Sequence, residues 1–454
     1  MYAKLFQPLW MLRDREYRGW VFRYRRELER NEQLSVDQIQ ALQWERLKQL
    51  LEHAYLNVPF YRRRFDDMGL HPSAIHTPED WRRIPILTRH DVQANLEDLV
   101  ATNCDRNRLS RNTTGGSTGT PMAFYQDNEH LACHQANKLR FRAWAGFEMG
   151  DKIALLWGAD RDIPTRSWIE RQRIRFIRRE RWLNTFNVTP EKMKRFAHEL
   201  IRWRPKYVLA YASSAYLFAS FLREQGLDRI HPAAVETSAD KLYDFQRQVI
   251  EDVFQCPVFD FYGSREIAGM AGECEAHTGL HVFSDIVHLE VLHNGRPAVP
   301  GEMGEVIVTD LHNFAMPLIR YQNGDLAQTS EETCPCGRPF PLLTEIVGRA
   351  VDAISTPNGQ YVHGEFFSHL FYGVDGVRRY QAYQPSLNEV RITIESSGDL
   401  SEDTLQTLRR KVMAHLGPGI EVSMQVVDAI PLTPTGKHRY VISEVLLPFV
   451  SRPD

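Results

Sequence analysis

Lys152-Ile-Ala-Leu-Leu-Trp157 is a short apolar run, followed by a helical pattern over 190–203, a second run, Tyr207-Val-Leu-Ala-Tyr211, and a further helical pattern over 242–254. Short apolar runs alternating with helix-period segments read as buried strands joined by helices, which makes βαβ units and a mainly parallel sheet. Upstream, from Arg13 to Asp67, the apolar residues Leu42, Leu47, Leu50, Leu51 and Ala54 recur at three and four among Arg, Glu and Gln, giving an N-terminal helical layer. Pro59, Pro72, Pro78 and Pro85 break the next stretch into short pieces. Downstream the texture turns β-type: Val287-His-Leu-Glu-Val-Leu292 and Glu305-Val-Ile-Val-Thr309 flank a Gly/Pro turn region from Asn294 to Gly304. After Gly348, strands near Arg379–Tyr383, Val390–Glu395 and Glu421–Val427 surround a helix over Ser401–Leu416. The expected fold class is α/β: a large N-terminal domain, 1–347, of several subdomains with parallel sheets and a β-rich part, plus a small α+β C-terminal domain, 348–454.

At 454 residues the chain exceeds a single ordinary core. Its 43% hydrophobic and 25% charged residues and net charge of -3 exclude disorder and a generally basic nucleic-acid binder, so no nucleic-acid partner is expected. The longest apolar stretch, Val208–Leu222, is interrupted by Ser213, Ser214 and Ser220, is too short to span a bilayer, and reads as a buried helix. The first ten residues lack an apolar core followed by a small-residue cleavage site, so a cytoplasmic protein without a transmembrane segment is the expectation. Between Arg161 and Trp182, eight arginines interleave with Trp168, Ile169, Ile174, Phe176, Ile177 and Trp182. Such a basic amphipathic helix can meet a membrane or a polyanion, but a solvated helix packed by its apolar side is the favoured reading.

Two features carry chemistry. Thr113-Thr-Gly-Gly-Ser-Thr-Gly-Thr-Pro121 combines three glycines, which let backbone amides approach one anion, with the hydroxyls of Thr113, Thr114, Ser117 and Thr118. Phosphate is the natural guest, although the Gly-Lys-[Ser/Thr] ending of a Walker A loop is absent. The second is Cys334-Pro-Cys336 followed by the turn residue Gly337, with Cys274 elsewhere near His277 and His281. Six cysteines in a chain this long are not a disulfide framework, and Cys₃His is a standard closed zinc set.

The loop resembles the phosphate loop of the adenylate-forming superfamily, the acyl-CoA synthetases and their relatives. Four further segments occur in the order that family shows. Phe261-Tyr-Gly-Ser-Arg-Glu266 resembles its Tyr-Gly-x-x-Glu motif, and Arg320-Tyr-Gln-Asn-Gly-Asp325 its Tyr-Arg-Thr-Gly-Asp motif. Gly348-Arg349 with Asp352 resembles the hinge, and Pro431-Leu-Thr-Pro-Thr-Gly-Lys437 the catalytic-lysine motif. Asn57-Val-Pro-Phe-Tyr61, Ile84-Pro-Ile-Leu-Thr88 and Cys334-Pro-Cys-Gly-Arg338 are similar to the phenylacetate-CoA ligase-like branch, which includes proteins associated with capsular polysaccharide gene clusters.

The resemblance implies ATP-dependent, Mg²⁺-assisted activation of a carboxylic acid as an acyl-adenylate, with coenzyme A the leading acceptor and a mobile C-terminal cap. It assigns the phosphates to Thr113, Thr114, Gly115, Gly116, Ser117, Thr118 and Gly119, and Mg²⁺ to Glu266. Adenine falls to Tyr262, Gly263 and Ser264 and to Ser238, Ala239 and Asp240, the ribose to Asp325 and Arg349, and the reacting centre to Lys437. Trp157, Gly158 and Tyr211 are the substrate candidates, and aromatic residues there suit an aryl or arylacetic acid. In this branch the metal set becomes Cys274, His281, Cys334 and Cys336, with His277 as the stand-in fourth ligand and zinc in a structural role. A homodimer is the assembly the branch implies. An acceptor that is an amine, a hydroxyl or a carrier protein, and a catalytically weak nucleotide-binding relative, are the alternatives. Three positions depart from the pattern: Thr120 stands where the loop has a lysine, Val351 where the hinge has a charged residue, and Gln322 where arginine is common.

Overall fold

The computed structural model describes residues 15–114, 122–157, 174–185, 189–227, 229–349, 353–358, 361–371, 374–396, 398, 400–431 and 438–445. The described residues open with helices Arg15–Asn31, Val36–Asn57 and Pro59–Asp67. Ser35 starts the second with a reciprocal capping box to Gln38, which satisfies end amides that the helix itself cannot.

Among the described residues twelve strands form one sheet, in the spatial order Arg296–Pro297, Val287–His293, Met303–Asp310, Tyr321–Thr329, Leu342–Arg349, Leu280–Val282, Ala268–Glu273, Val258–Ser264, Ala234–Ser238, Tyr207–Tyr211, Ile153–Trp157 and Glu180–Asn184. The last five in that order run parallel to one another. Beyond Val258–Ser264 every added strand is antiparallel, so the strand-rich segment continues the same sheet.

The parallel half is covered on both faces, and strand alternation shows how. Ile153 and Leu155 enter one core with Tyr207, Ala234, Phe259 and Phe261, under helix Asn128–Trp144 and the N-terminal layer. Ala154 and Leu156 enter a second core with Val208, Ala210, Val235 and Val258, beneath helices Pro190–Trp203, Ala212–Glu224 and Asp244–Phe254. Successive side chains point to opposite faces, so a strand buried twice must be apolar throughout.

The C-terminal strands Glu421–Val427, Glu389–Ser396, Val377–Ser386 and Val441–Ser443 form a separate four-stranded sheet in that order. Helices Gly364–Phe371 and Glu402–Leu416 accompany it, and Ile354, Phe367, Tyr380, Ile392, Ile394, Leu408 and Val412 make a core distinct from the other two.

Two expectations are corrected. Val208–Leu222 is not one helix: Tyr207–Tyr211 is a strand and the helix begins at Ala212, because the parallel sheet recruits the first residues. Nor does a single helix run to Trp182. Ile174–Arg178 is one π-helical turn and Glu180–Asn184 is the sheet's edge strand, while 158–173 lie outside the described residues. Among the described residues no helix is long and apolar enough to cross a membrane.

Candidate nucleotide and metal sites

Strands Ile153–Trp157, Tyr207–Tyr211, Ala234–Ser238 and Val258–Ser264 present their C-terminal ends side by side, the rim at which an open α/β sheet normally binds its ligand. Trp157, Tyr211, Ser238, Tyr262, Gly263 and Ser264 all lie on that rim. The rings of Trp157 and Tyr211 are 4.2 Å apart, and Tyr211 is buried. Gly263 has a steric reason to be glycine: a Cβ there would meet the Ala268 carbonyl oxygen at 2.1 Å, where the Val258–Ser264 and Ala268–Glu273 strands shift register.

The hydroxyl of Tyr262 donates to Asp325 Oδ2 at 2.8 Å and accepts from Asn323 Nδ2 at 2.8 Å. Asp325 in turn pairs with Arg349 across the strand ladder, so their backbones lie opposite one another. Nearby, Glu266 is buried and its Oε1 accepts from the Tyr321 hydroxyl at 3.4 Å. A buried carboxylate with hard oxygen donors suits Mg²⁺, which takes one or two such ligands and keeps its waters.

The strands Ser110–Thr113 and Ala123–Gln126 form the hairpin that flanks the predicted phosphate loop. Its base is closed by Thr114 N to Met122 O at 2.9 Å and by Met122 N to Thr114 Oγ1 at 3.0 Å. Gln126 ties this hairpin to Glu266: its Oε1 accepts from Asn112 Nδ2 at 2.8 Å, and its Nε2 donates to the Glu266 carbonyl at 3.3 Å. Those two bonds orient the amide, so Gln126 Nε2, 2.9 Å from His130 Nε2, donates there too.

Asp240 directs its carboxylate at the start of helix Ala212–Glu224, Oδ1 accepting from Ala212 N at 2.8 Å and Oδ2 from Ser213 N at 3.1 Å. It caps a helix that has no side-chain cap of its own. Ala239 turns the chain between them at φ +75°, a strained position for an L-residue. Gly115, Gly116, Ser117, Thr118, Gly119, Thr120, Gly158, Val351, Asp352 and Lys437 lie outside the described residues, as does the side chain of Arg349.

The metal candidates converge. The ligand atoms of Cys274, His281, Cys334 and Cys336 all lie within 4.8 Å of one another. Cys274 Sγ is 3.5 Å from Cys334 Sγ, and Cys336 Sγ is 3.3 Å from His281 Nε2. Sulfurs on a tetrahedral zinc with arms of about 2.3 Å would stand roughly 3.7 Å apart, so the set fits zinc with little movement. His281 Nδ1 faces the Phe340 carbonyl at 3.2 Å, which holds that proton and turns Nε2 inward. Burial pushes the Cys274 thiol up to about 12, so holding it as a thiolate calls for a cation. His277, the stand-in ligand, instead faces Glu273 at 3.5 Å.

A second buried group escaped sequence reasoning. Asp310 Oδ2 lies 3.3 Å from His130 Nδ1 and 3.1 Å from His134 Nε2. The His-x₃-His spacing on helix Asn128–Trp144 was the available signal, since residues four apart share a face. Metal binding there is disfavoured by the Gln126 amide: donating into His130 Nε2, it requires the proton of a neutral imidazole to sit on Nδ1, facing Asp310.

Residues 354–444 match the CapK C-terminal domain. The chain is 23% identical over 414 residues to Protein CapK of Staphylococcus aureus, covering 89% of each. It is 29% identical over 341 residues to the phenylacetate-coenzyme A ligase of Escherichia coli (strain K12), covering 71% of this chain and 74% of that one. The fold matches the crystal structure of 2-hydroxyisobutyryl-CoA ligase in the postadenylation state with a TM-score of 0.74, at 21% identity and 91% coverage of both chains. The chain is thus similar over most of its length to phenylacetate-coenzyme A ligases and to Protein CapK, has the fold of an acyl-CoA ligase, and matches the CapK C-terminal domain over residues 354–444.

Proposed function

We propose that the chain is an ATP-dependent, AMP-forming ligase that activates a carboxylic acid and transfers the acyl group to coenzyme A. The names of its relatives support the reaction class. The observation that carries it is the joining of two distant motifs through Tyr262 and Asp325, beside the buried Glu266 and the hairpin of the glycine-rich loop. In the first step a carboxylate oxygen attacks the α-phosphorus and pyrophosphate leaves. In the second the thiol sulfur attacks the acyl carbon and AMP leaves.

In this reading Thr113 to Gly119 hold the β- and γ-phosphates, Glu266 takes Mg²⁺, Asp325 and Arg349 take the ribose, and Lys437 neutralises the reacting centre from the cap, 348–454. Ser238, Ala239 and Tyr262 border adenine, while Asp240 supports that wall by capping the helix beside it. The paired rings of Trp157 and Tyr211, with Gly158, suit an aryl or arylacetic acid. Zinc on Cys274, His281, Cys334 and Cys336 is structural, since four protein ligands leave no open position. The cross-link would fasten the turn after Ala268–Glu273 to the loop before Leu342–Arg349, the strand that ends at Arg349.

Acid-dependent exchange of labelled pyrophosphate into ATP tests the first step across a panel of acids, and CoA-dependent AMP release tests the acceptor. Lys437→Ala should slow the exchange by about 10²–10³-fold, the usual loss of one charge-stabilising group. Undiminished exchange in that variant would remove Lys437 from the reaction. Exchange without any CoA-dependent AMP release would favour an amine, hydroxyl or carrier-protein acceptor, an alternative raised by the relationship to Protein CapK.

A further inference from the structure

We infer that Arg89 is a triphosphate ligand, supplying positive charge at the β,γ-phosphate end of the nucleotide from a segment outside the glycine-rich loop. The inference rests on the nucleotide site proposed above and adds to it a residue that none of the motifs contains.

Arg89 begins the short helix Arg89–Ala94, whose entry is held by a capping box: Asp91 N donates to Thr88 Oγ1 at 3.1 Å and Thr88 N to Asp91 Oδ2 at 2.9 Å. Immediately before it, Leu87 N donates to Arg320 O at 2.9 Å and Gln322 N to Leu87 O at 3.0 Å. These bonds form a parallel bridge between Leu87 and Tyr321, on the strand that also carries Asp325. The backbone around Arg89 is therefore fixed from both sides, independently of the loop.

From that anchor the guanidinium reaches the base of the loop, Nη2 donating to Thr114 Oγ1 at 2.9 Å. The same oxygen accepts from Met122 N at 3.0 Å, so both lone pairs are engaged and the hydroxyl is left to act as a donor. Tyr321 closes the circuit, its hydroxyl 3.4 Å from Glu266 Oε1 and 3.7 Å from Met122 Sδ. Arg89, Thr114, Met122, Tyr321 and Glu266 thus make one contiguous chain of contacts from the loop to the Mg²⁺ candidate.

Charge balance explains what this cation is for. A triphosphate is polyanionic, and Glu266 and Asp325 add negative charge around it. The stretch Asn112–Pro121 contains no lysine or arginine, and Thr120 occupies the position where the family's loop has its lysine. Arg89 brings the missing charge to the same loop by a different route, in a form whose planar fork suits phosphate oxygens.

The test needs no knowledge of the acid. Titration calorimetry of the full chain with Mg·ATP and, separately, with AMP is compared for the native protein, Arg89→Gln and Arg89→Lys. Arg89→Gln should weaken Mg·ATP by roughly 10- to 100-fold, the range for a lost charged hydrogen bond, and leave AMP unchanged. Arg89→Lys should fall between. Equal weakening of ATP and AMP, or of neither, overturns the inference, the first because it assigns Arg89 to bracing the hairpin. Native protein that binds neither nucleotide refutes the nucleotide site itself, and the inference with it. Melting temperatures identify any folding loss, in which case Arg89→Lys alone decides by the same comparison.

Discussion

The hydroxyl of Tyr262 sits 2.8 Å from Asp325 Oδ2, although the two residues are 63 positions apart in the chain. Asn323 completes a triangle by donating to both, at 2.8 Å to the hydroxyl and 2.9 Å to the carboxylate. The bond holds the Asp325 carboxylate against strand Val258–Ser264, the proposed adenine wall. Tyr262→Phe keeps the ring and removes only this bond, so affinity for ATP and AMP should fall together by roughly tenfold. Unaltered nucleotide affinity would show that the triangle serves packing alone.

The cysteine–histidine cluster should hold about one zinc per chain, the capacity of a four-ligand site. Elemental analysis of protein purified without added chelator measures this. Cys334→Ser should lower both zinc content and melting temperature, and prolonged chelation should reproduce the loss in the native chain. Full zinc retention in that variant would reject this ligand set.

Asp240 caps helix Ala212–Glu224 from a neighbouring strand end. Asp240→Ala strands two amides at that helix start and should cost about 1–2 kcal/mol of stability, as loss of a side-chain cap does. Urea unfolding gives the number. A change in nucleotide affinity with no change in stability would return Asp240 to the direct adenine role.

Acid should destabilise the fold. Burial, the largest influence, holds His130 down at about 3 and His312 at about 4, against 6.5 for the free side chain. A depressed histidine contributes stability above pH 6.5, and that contribution is lost as the pH falls toward the folded value, at up to about 1.4 kcal/mol per pH unit for each group. Asp260 has the opposite sign. Burial and then the Glu273 carboxylate push it up from 3.8 to about 7, so it favours the folded chain as the pH falls. Two histidines outweigh one carboxyl, and unfolding free energy should drop between pH 6.5 and 4. Asp260→Asn should make the drop steeper, whereas a flat profile in the native protein would contradict the balance.

Local patterns predicted much of the architecture. Helix Pro190–Trp203 has the expected limits, with Thr189 as its cap and proline in its first turn, and strand Glu421–Val427 also has its expected limits. Such features depend on neighbours in sequence: end amides need a nearby oxygen, and a half-buried strand needs period two. The Val208–Leu222 run failed as a single element because strand and helix meet between two apolar residues, Tyr211 and Ala212, while the interrupting serines, Ser213, Ser214 and Ser220, all lie inside the helix. The serines therefore do not mark where the period changes.

Residue types and their order along the chain were enough to predict a mainly parallel sheet and the convergence of Cys274, His281, Cys334 and Cys336, since both are written in composition and spacing. Which partner every polar side chain takes was settled by packing. Asp240 faces a helix end, and Arg89 reaches Thr114 from a separate segment. Contacts between distant segments depend on strand register and helix placement, which no short window of sequence contains.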